Sequence, residues 1–114
     1  MTECLFCRVI AGEIPGTVVH QDDKLTAFRD IRPQAPTHIL IVPNEHLGST
    51  DEVTDAHVEL MGRMVHLAAE LAREEGIAAK GYRLVVNTGP DAGQSVGHIH
   101  MHLIGGRRLS WPPG

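Results

Sequence analysis

Apolar residues along this chain follow two periods, and the changes between them mark out its elements. Val58, Met61, Met64, Val65, Ala68, Leu71 and Ala72 recur at helical spacing, as expected for a helix with one buried face. Thr54 offers an N-cap and Gly76 a stop, so one long helix is predicted between them. A shorter helix fits Cys4 to Ala11, with Phe6, Val9 and Ile10 on one side and Gly12 ending it. Val18 to Gln21 and Leu25 to Arg29 read as a hairpin around Asp22-Asp23. His38 to Val42, closed by Pro43, and Tyr82 to Asn87 read as further strands. His98 to Ile104 alternates with period two and reads as the last strand. Helix, strands, long helix, strands, without regular βα alternation, predicts an α+β domain with a mainly antiparallel sheet.

Composition narrows the setting. With 114 residues and 42% apolar content, the chain is expected to form one domain, residues 1–114, with a core that needs no staples. No apolar run approaches 18 residues and no basic-then-apolar start is present, so neither a membrane span nor a signal peptide is expected. The expected location is the cytoplasm. A net charge of −4 argues against a nucleic-acid partner. Both cysteines lie in Cys4-Leu5-Phe6-Cys7. In a reducing compartment this spacing reads as half a zinc site or as two inert thiols; the strand-led setting of a thioredoxin-like redox pair is missing.

The chemistry concentrates late in the chain. On an extended strand His98, His100 and His102 would project from one face, and Ile99, Met101 and Leu103 from the other. Imidazole titrates near neutrality and can act as base, acid, nucleophile or ligand. The preceding segment, Gly89 to Gly97, is glycine-rich. Gly93 and Gly97 would let main-chain N–H groups converge on an anion, with Gln94 and Ser95 adding donors. Together these read as a phosphate cradle beside a nucleophile. His100, flanked by imidazoles on both sides, is the candidate to attack phosphorus, with His98 and His102 donating to the oxygens. The rival reading makes the three histidines metal ligands of a water-activating hydrolase, although no carboxylate base adjoins them.

Residues 98–104 match the His-φ-His-φ-His-φ-φ signature throughout (φ apolar), and the chain resembles the histidine triad (HIT) superfamily. The resemblance is closest to the Hint branch of nucleoside phosphoramidases. It runs through Ala11-Gly12-Glu13-Ile14-Pro15, Pro33-Gln34-Ala35-Pro36-Thr37-His38, Ala92-Gly93-Gln94-Ser95-Val96 and the terminal Trp111-Pro112-Pro113-Gly114. It implies a five-stranded antiparallel sheet with one long and one short helix, the sheet continuing across a homodimer. The implied ligand is a purine nucleoside monophosphate and the implied substrate its phosphoramidate, such as AMP joined to ammonia or lysine, with no organic cofactor. By position, His100 matches the nucleophile, supported by His98, His102 and His38, and Ser95 lies near the leaving group. Asn87, Gly93, Gln94 and Ser95 match phosphate-side residues. Asp30 matches the ribose-binding carboxylate, and Phe6, Val9, Phe28 and Ile31 the base pocket. In many bacterial relatives a structural zinc is held at positions corresponding to Cys4, Cys7, His46 and His98. Gly97, where relatives often carry an aromatic residue, and Ser110, often His in the Hint branch, depart from the pattern. Dinucleoside polyphosphate hydrolysis, nucleotidyl transfer and a nucleotide-binding scaffold role stay open beside phosphoramidate hydrolysis.

Overall fold

The computed structural model describes residues 4–114. Five strands form one antiparallel sheet: β1 (Val18–Gln21), β2 (Leu25–Arg29), β3 (Thr37–Pro43), β4 (Tyr82–Val85) and β5 (Met101–Gly105). Their spatial order is β1-β2-β3-β5-β4. A short helix α1 (Leu5–Ile10) precedes the sheet, and a long helix α2 (Val58–Glu74) lies between β3 and β4. Fold class and strand count match the expectation.

Alternation along the central strands assigns each sheet face a different job. Leu25, Ala27, Ile39, Ile41, Met101 and Leu103 pack with Met64, Leu67, Ala68 and Leu71 of α2 in the main core. The residues between them point the other way. Phe28, Leu40 and Val42 meet Phe6 and Val9 of α1 in a smaller core. Because α1 is only six residues long, it covers one end of this second face. The other end is left to His38 and His102, which are neighbours through the Leu40–His102 and His38–Ile104 pairings. All seven residues of β3 are buried, as expected of a central strand flanked on both sides and packed on both faces.

The helix termini follow their sequence signals. Thr54 caps a 3₁₀ turn, Asp55–His57, that runs directly into α2, and Nδ1 of His57 accepts the Thr54 N–H in return. Gly76 takes φ +77° just beyond α2. A two-pronged contact between Arg29 and Glu75, both arms 2.9 Å, and a Thr37 hydroxyl donated to Glu75 tie the end of α2 to the sheet.

Three expectations need correcting. The apolar stripe of α2 is rotated from the one read in the sequence: Val58 and Val65 are 65% and 49% exposed, while Leu67 is buried. The strand read as Tyr82 to Asn87 stops at Val85, whose partner on β5 is His102. The histidine strand begins only at Met101. β3 ends in a proline, and the groups that would extend the ladder are used elsewhere: the Ile99 N–H donates to Leu47 O at 2.7 Å, and Pro43 O accepts from the His98 ring.

Candidate functional site

His98 and His100 therefore sit just ahead of β5, yet with His102 they share the α1 side of the sheet. The Phe6 ring stands edge-on to His100 at 5.0 Å and to His98 at 6.1 Å, and His100 and His102 are 5.0 Å apart. Their hydrogen bonds fix which nitrogen of each ring carries the proton. The main-chain oxygen of His98 only accepts, so Nδ1 of His100, 2.8 Å away, must be its protonated nitrogen. The lone pair of His100 then lies on Nε2. This is the atom a nucleophile needs.

His102 is set the opposite way. The Gln34 N–H donates to Nδ1 of His38 at 3.0 Å, so neutral His38 carries its proton on Nε2. That proton faces Nδ1 of His102 at 2.9 Å, with a carboxylate oxygen of Asp30 at 3.4 Å. His102 is thereby left with Nε2–H as a donor. Burial holds His38 below the ordinary histidine range, against the opposing pull of Asp30. Burial, then the neighbouring His100 and His38, push His102 down to about 4. The two rings are thus neutral at neutral pH. A lone pair on His100 beside an N–H on His102 suits attack on phosphorus with donation to its oxygen.

The loop 89–97 is more constrained than its composition suggests. Gly89 and Gly93 both take φ +81°, and Gly93 N–H and Gln94 N–H are bonded within the loop to Pro90 O and Gly89 O. The Gln94 side chain accepts from Gly89 N–H and donates to Gly48 O and Val96 O. The Gln94 side chain is therefore a brace fastening the loop to residue 48, with both of its N–H donors engaged. Ser95 is exposed beside it, and Asn87 is half-buried where β4 ends. Gly97 has no left-handed φ, and a Cβ there would meet nothing within 4 Å. The conformational reason offered for that glycine is incorrect.

Of the residues matched to a base pocket, Phe6, Val9 and Phe28 are buried together, and Ile31 stands 88% exposed beside half-buried Asp30. One oxygen of Asp30 accepts the Arg32 N–H, closing a turn.

The rival grouping of three triad histidines around a metal is not found: among the described residues, neither group able to hold an ion contains His100. Cys4, Cys7, His46 and His98 bring four ligand atoms within 4.8 Å of one another. Sγ of Cys4 lies 3.3 Å from Nδ1 of His98, and Sγ of Cys7 lies 3.3 Å from Nδ1 of His46 and 3.5 Å from that of His98. The two Nδ1 atoms are 3.1 Å apart. Tetrahedral zinc with ordinary bond lengths gives N···N edges of about 3.3 Å and S···N edges of about 3.6 Å, so the set fits. His98 donates Nε2–H to Pro43 O at 2.8 Å, which turns its Nδ1 lone pair into the cluster. Asp30, His38 and His102 also converge, but their outer bonds do not suit a metal. An imidazole ligating through Nε2 must carry its proton on Nδ1, and Nδ1 of His38 already accepts from Gln34.

The sequence and the fold are shared with known proteins. A family model described as the HIT domain matches residues 11–109. A purine nucleoside phosphoramidase of Escherichia coli (strain K12) is 54% identical, covering 94% of this chain and 90% of its own. A 14 kDa zinc-binding protein of Zea mays is 50% identical, covering 96% and 87%. The crystal structure of a HIT family hydrolase from Legionella pneumophila Philadelphia 1 superposes with a TM-score of 0.96 at 52% identity, covering 98% of this chain and all of that one. With the family model spanning most of its length, the chain belongs to the HIT domain family.

Proposed function

We propose that the protein hydrolyses the P–N bond of purine nucleoside 5′-phosphoramidates through a nucleotidyl-His100 intermediate. The observation that carries this reading is the opposed proton placement on His100 and His102. Nε2 of His100 attacks phosphorus, the P–N bond breaks, and the amine leaves after its nitrogen takes a proton from solvent. Ser95 is the side chain assigned to the leaving-group side. The imidazolium formed on His100 is stabilised through Nδ1–H on His98 O, and Nε2–H of His102 donates to a phosphate oxygen as charge builds there. Water then attacks the same phosphorus, the Nε2–P bond breaks, and the nucleoside monophosphate departs.

The purine is assigned to the apolar side formed by Phe6, Val9, Phe28 and Ile31, the ribose hydroxyls to Asp30, and the phosphate to the Asn87 and Gly93–Ser95 region. Zinc is assigned to Cys4, Cys7, His46 and His98, where it would supply a structural tie between α1 and the sheet. The functional unit is assigned as a homodimer. β4 is an edge strand, and Val58 and Val65 expose an apolar stripe on α2. No helix among the described residues is long and apolar enough to cross a membrane.

Mass spectrometry of protein quenched during turnover of AMP-lysine tests the chemistry. A nucleotidyl adduct on His100, absent in His100→Ala, is expected. Amine release at an unchanged rate in His100→Ala would overturn it. Relative kcat/KM on phosphoramidate and on diadenosine polyphosphates decides between P–N and P–O–P cleavage.

A further inference from the structure

Cys4 and Cys7 stand at the start of α1, on either side of the residue that touches the candidate nucleophile. We infer that this pair is an oxidation site: a peroxide converts it to a disulfide, the metal ligand set is dismantled, and transfer of the nucleotide to His100 slows. The inference rests on the functional reading above and adds a control to the same site.

Three observations carry it. First, both sulfurs are half-buried rather than sealed in the core, and they lie within 4.8 Å of each other as part of one ligand group. Sγ of Cys4 also accepts the Cys7 N–H at 3.4 Å, so the turn already folds one cysteine back over the other. Closing to a bond of about 2.05 Å needs only a local movement of this turn.

Second, Phe6 lies between the two cysteines and packs against the rings of His100, His98 and Phe28. A change in the first turn of α1 therefore bears directly on the ring that must attack. Third, His98 belongs to both assemblies. Its ring supplies Nδ1 to the cysteine cluster, and its main-chain oxygen holds Nδ1–H of His100 at 2.8 Å. Loss of the sulfur ligands removes two contacts from Nδ1 of the His98 ring, leaving the His46 contact at 3.1 Å and the bond to Pro43 O.

The chemistry balances with hydrogen peroxide as oxidant. One thiolate attacks a peroxide oxygen; the O–O bond breaks, a sulfenic acid forms and hydroxide leaves. The second thiolate displaces hydroxide from that sulfur and the S–S bond forms. Two thiolates lose one electron each, peroxide gains two, and two hydroxide ions result. A disulfide with two imidazoles would no longer offer the two-thiolate set that a closed zinc site uses, so a zinc ion held there would be released.

The test uses the full chain loaded with zinc and treated with hydrogen peroxide. Three readouts are taken on the same samples: intact mass, zinc released to a chromogenic chelator, and the single-turnover rate of adduct formation on His100. The expected result is a mass loss of two hydrogens, one zinc released per chain, and an adduct rate at least tenfold lower. Dithiothreitol with added zinc should restore all three. An adduct rate within twofold of the untreated protein, despite disulfide formation and zinc release, would overturn the inference. So would mass gains in multiples of oxygen that dithiothreitol does not reverse, which would place the damage on methionine or on over-oxidised cysteine. If untreated protein forms no adduct at all, the functional reading fails, and the mass and zinc readouts still decide whether the pair is an oxidation site.

Discussion

Replacing Phe6 by alanine interrogates the small core and the site together. Phe6 is 5% exposed and packs with Val9, Phe28, Leu40 and Val42. Its ring meets Phe28 at 5.3 Å in an edge-to-face arrangement and His100 at 5.0 Å. Truncating a buried phenylalanine costs about 3–5 kcal/mol, with the aromatic contacts contributing roughly 0.5–1.5 kcal/mol of that. A domain of 114 residues has a total stability of about 6–17 kcal/mol. The variant should therefore fold while losing a large share of its margin. With a urea slope of about 2 kcal/mol per molar, the midpoint falls by about 2 M. A six-residue helix has little stability of its own, so the loss should be local first. Hydrogen exchange at residues 5–10 should accelerate before the sheet does. Zinc should restore protection there, because Cys4 and Cys7 tether the same turn. Phe6→Leu keeps most of the buried volume and should cost about 1.5 kcal/mol or less, isolating the ring contacts. A loss below about 1 kcal/mol for Phe6→Ala in metal-free protein would refute the packing of α1 described here.

Two further outcomes concern charge. The folded-state pKa of His102, about 4, lies below its ordinary value of 6.5, so on acidification the unfolded chain takes up the proton first. Its contribution is complete above about pH 6.5 and is lost as pH falls toward 4. Urea midpoints measured between pH 7 and pH 4 should fall less steeply in His102→Gln than in the natural chain; equal slopes would contradict the assignment. Arg29 holds Glu75 below the ordinary carboxylate range, so that pair stabilises above about pH 4.5 and fades below it. Because Arg29 is 40% exposed, solvent screening limits Arg29→Met to about 1 kcal/mol at neutral pH. The deficit should shrink on acidification, as read by thermal melting.

How legible each part was in the sequence depended on how local its cause is. The hairpin strands β1 and β2 read with their observed bounds because alternation and the Asp22-Asp23 turn are both short-range. The stripe of α2 was read too broadly because Val58 and Val65 are apolar at helical spacing, and the face that packs is settled by the sheet. The histidine segment looked like a strand throughout, but pairing is decided by the partner: β3 ends at Pro43, and Leu47 O takes the Ile99 N–H instead. The C-x-x-C spacing announced half of a metal site. Its other half, His46 and His98, comes from 39 to 94 residues away along the chain, and only family resemblance linked them in advance. The bracing by Gln94 was not legible, because its three bonds are all to main-chain groups that no composition reveals.

The proton arrangement across the site begins at a main-chain N–H. That of Gln34 sets His38, and His38 sets His102. Side-chain identity at residue 34 thus matters little to this proton arrangement, since every residue but one supplies the same amide. A saturation library at this exposed position should accept most substitutions and reject proline. A proline variant that turned over normally would dismiss this relay.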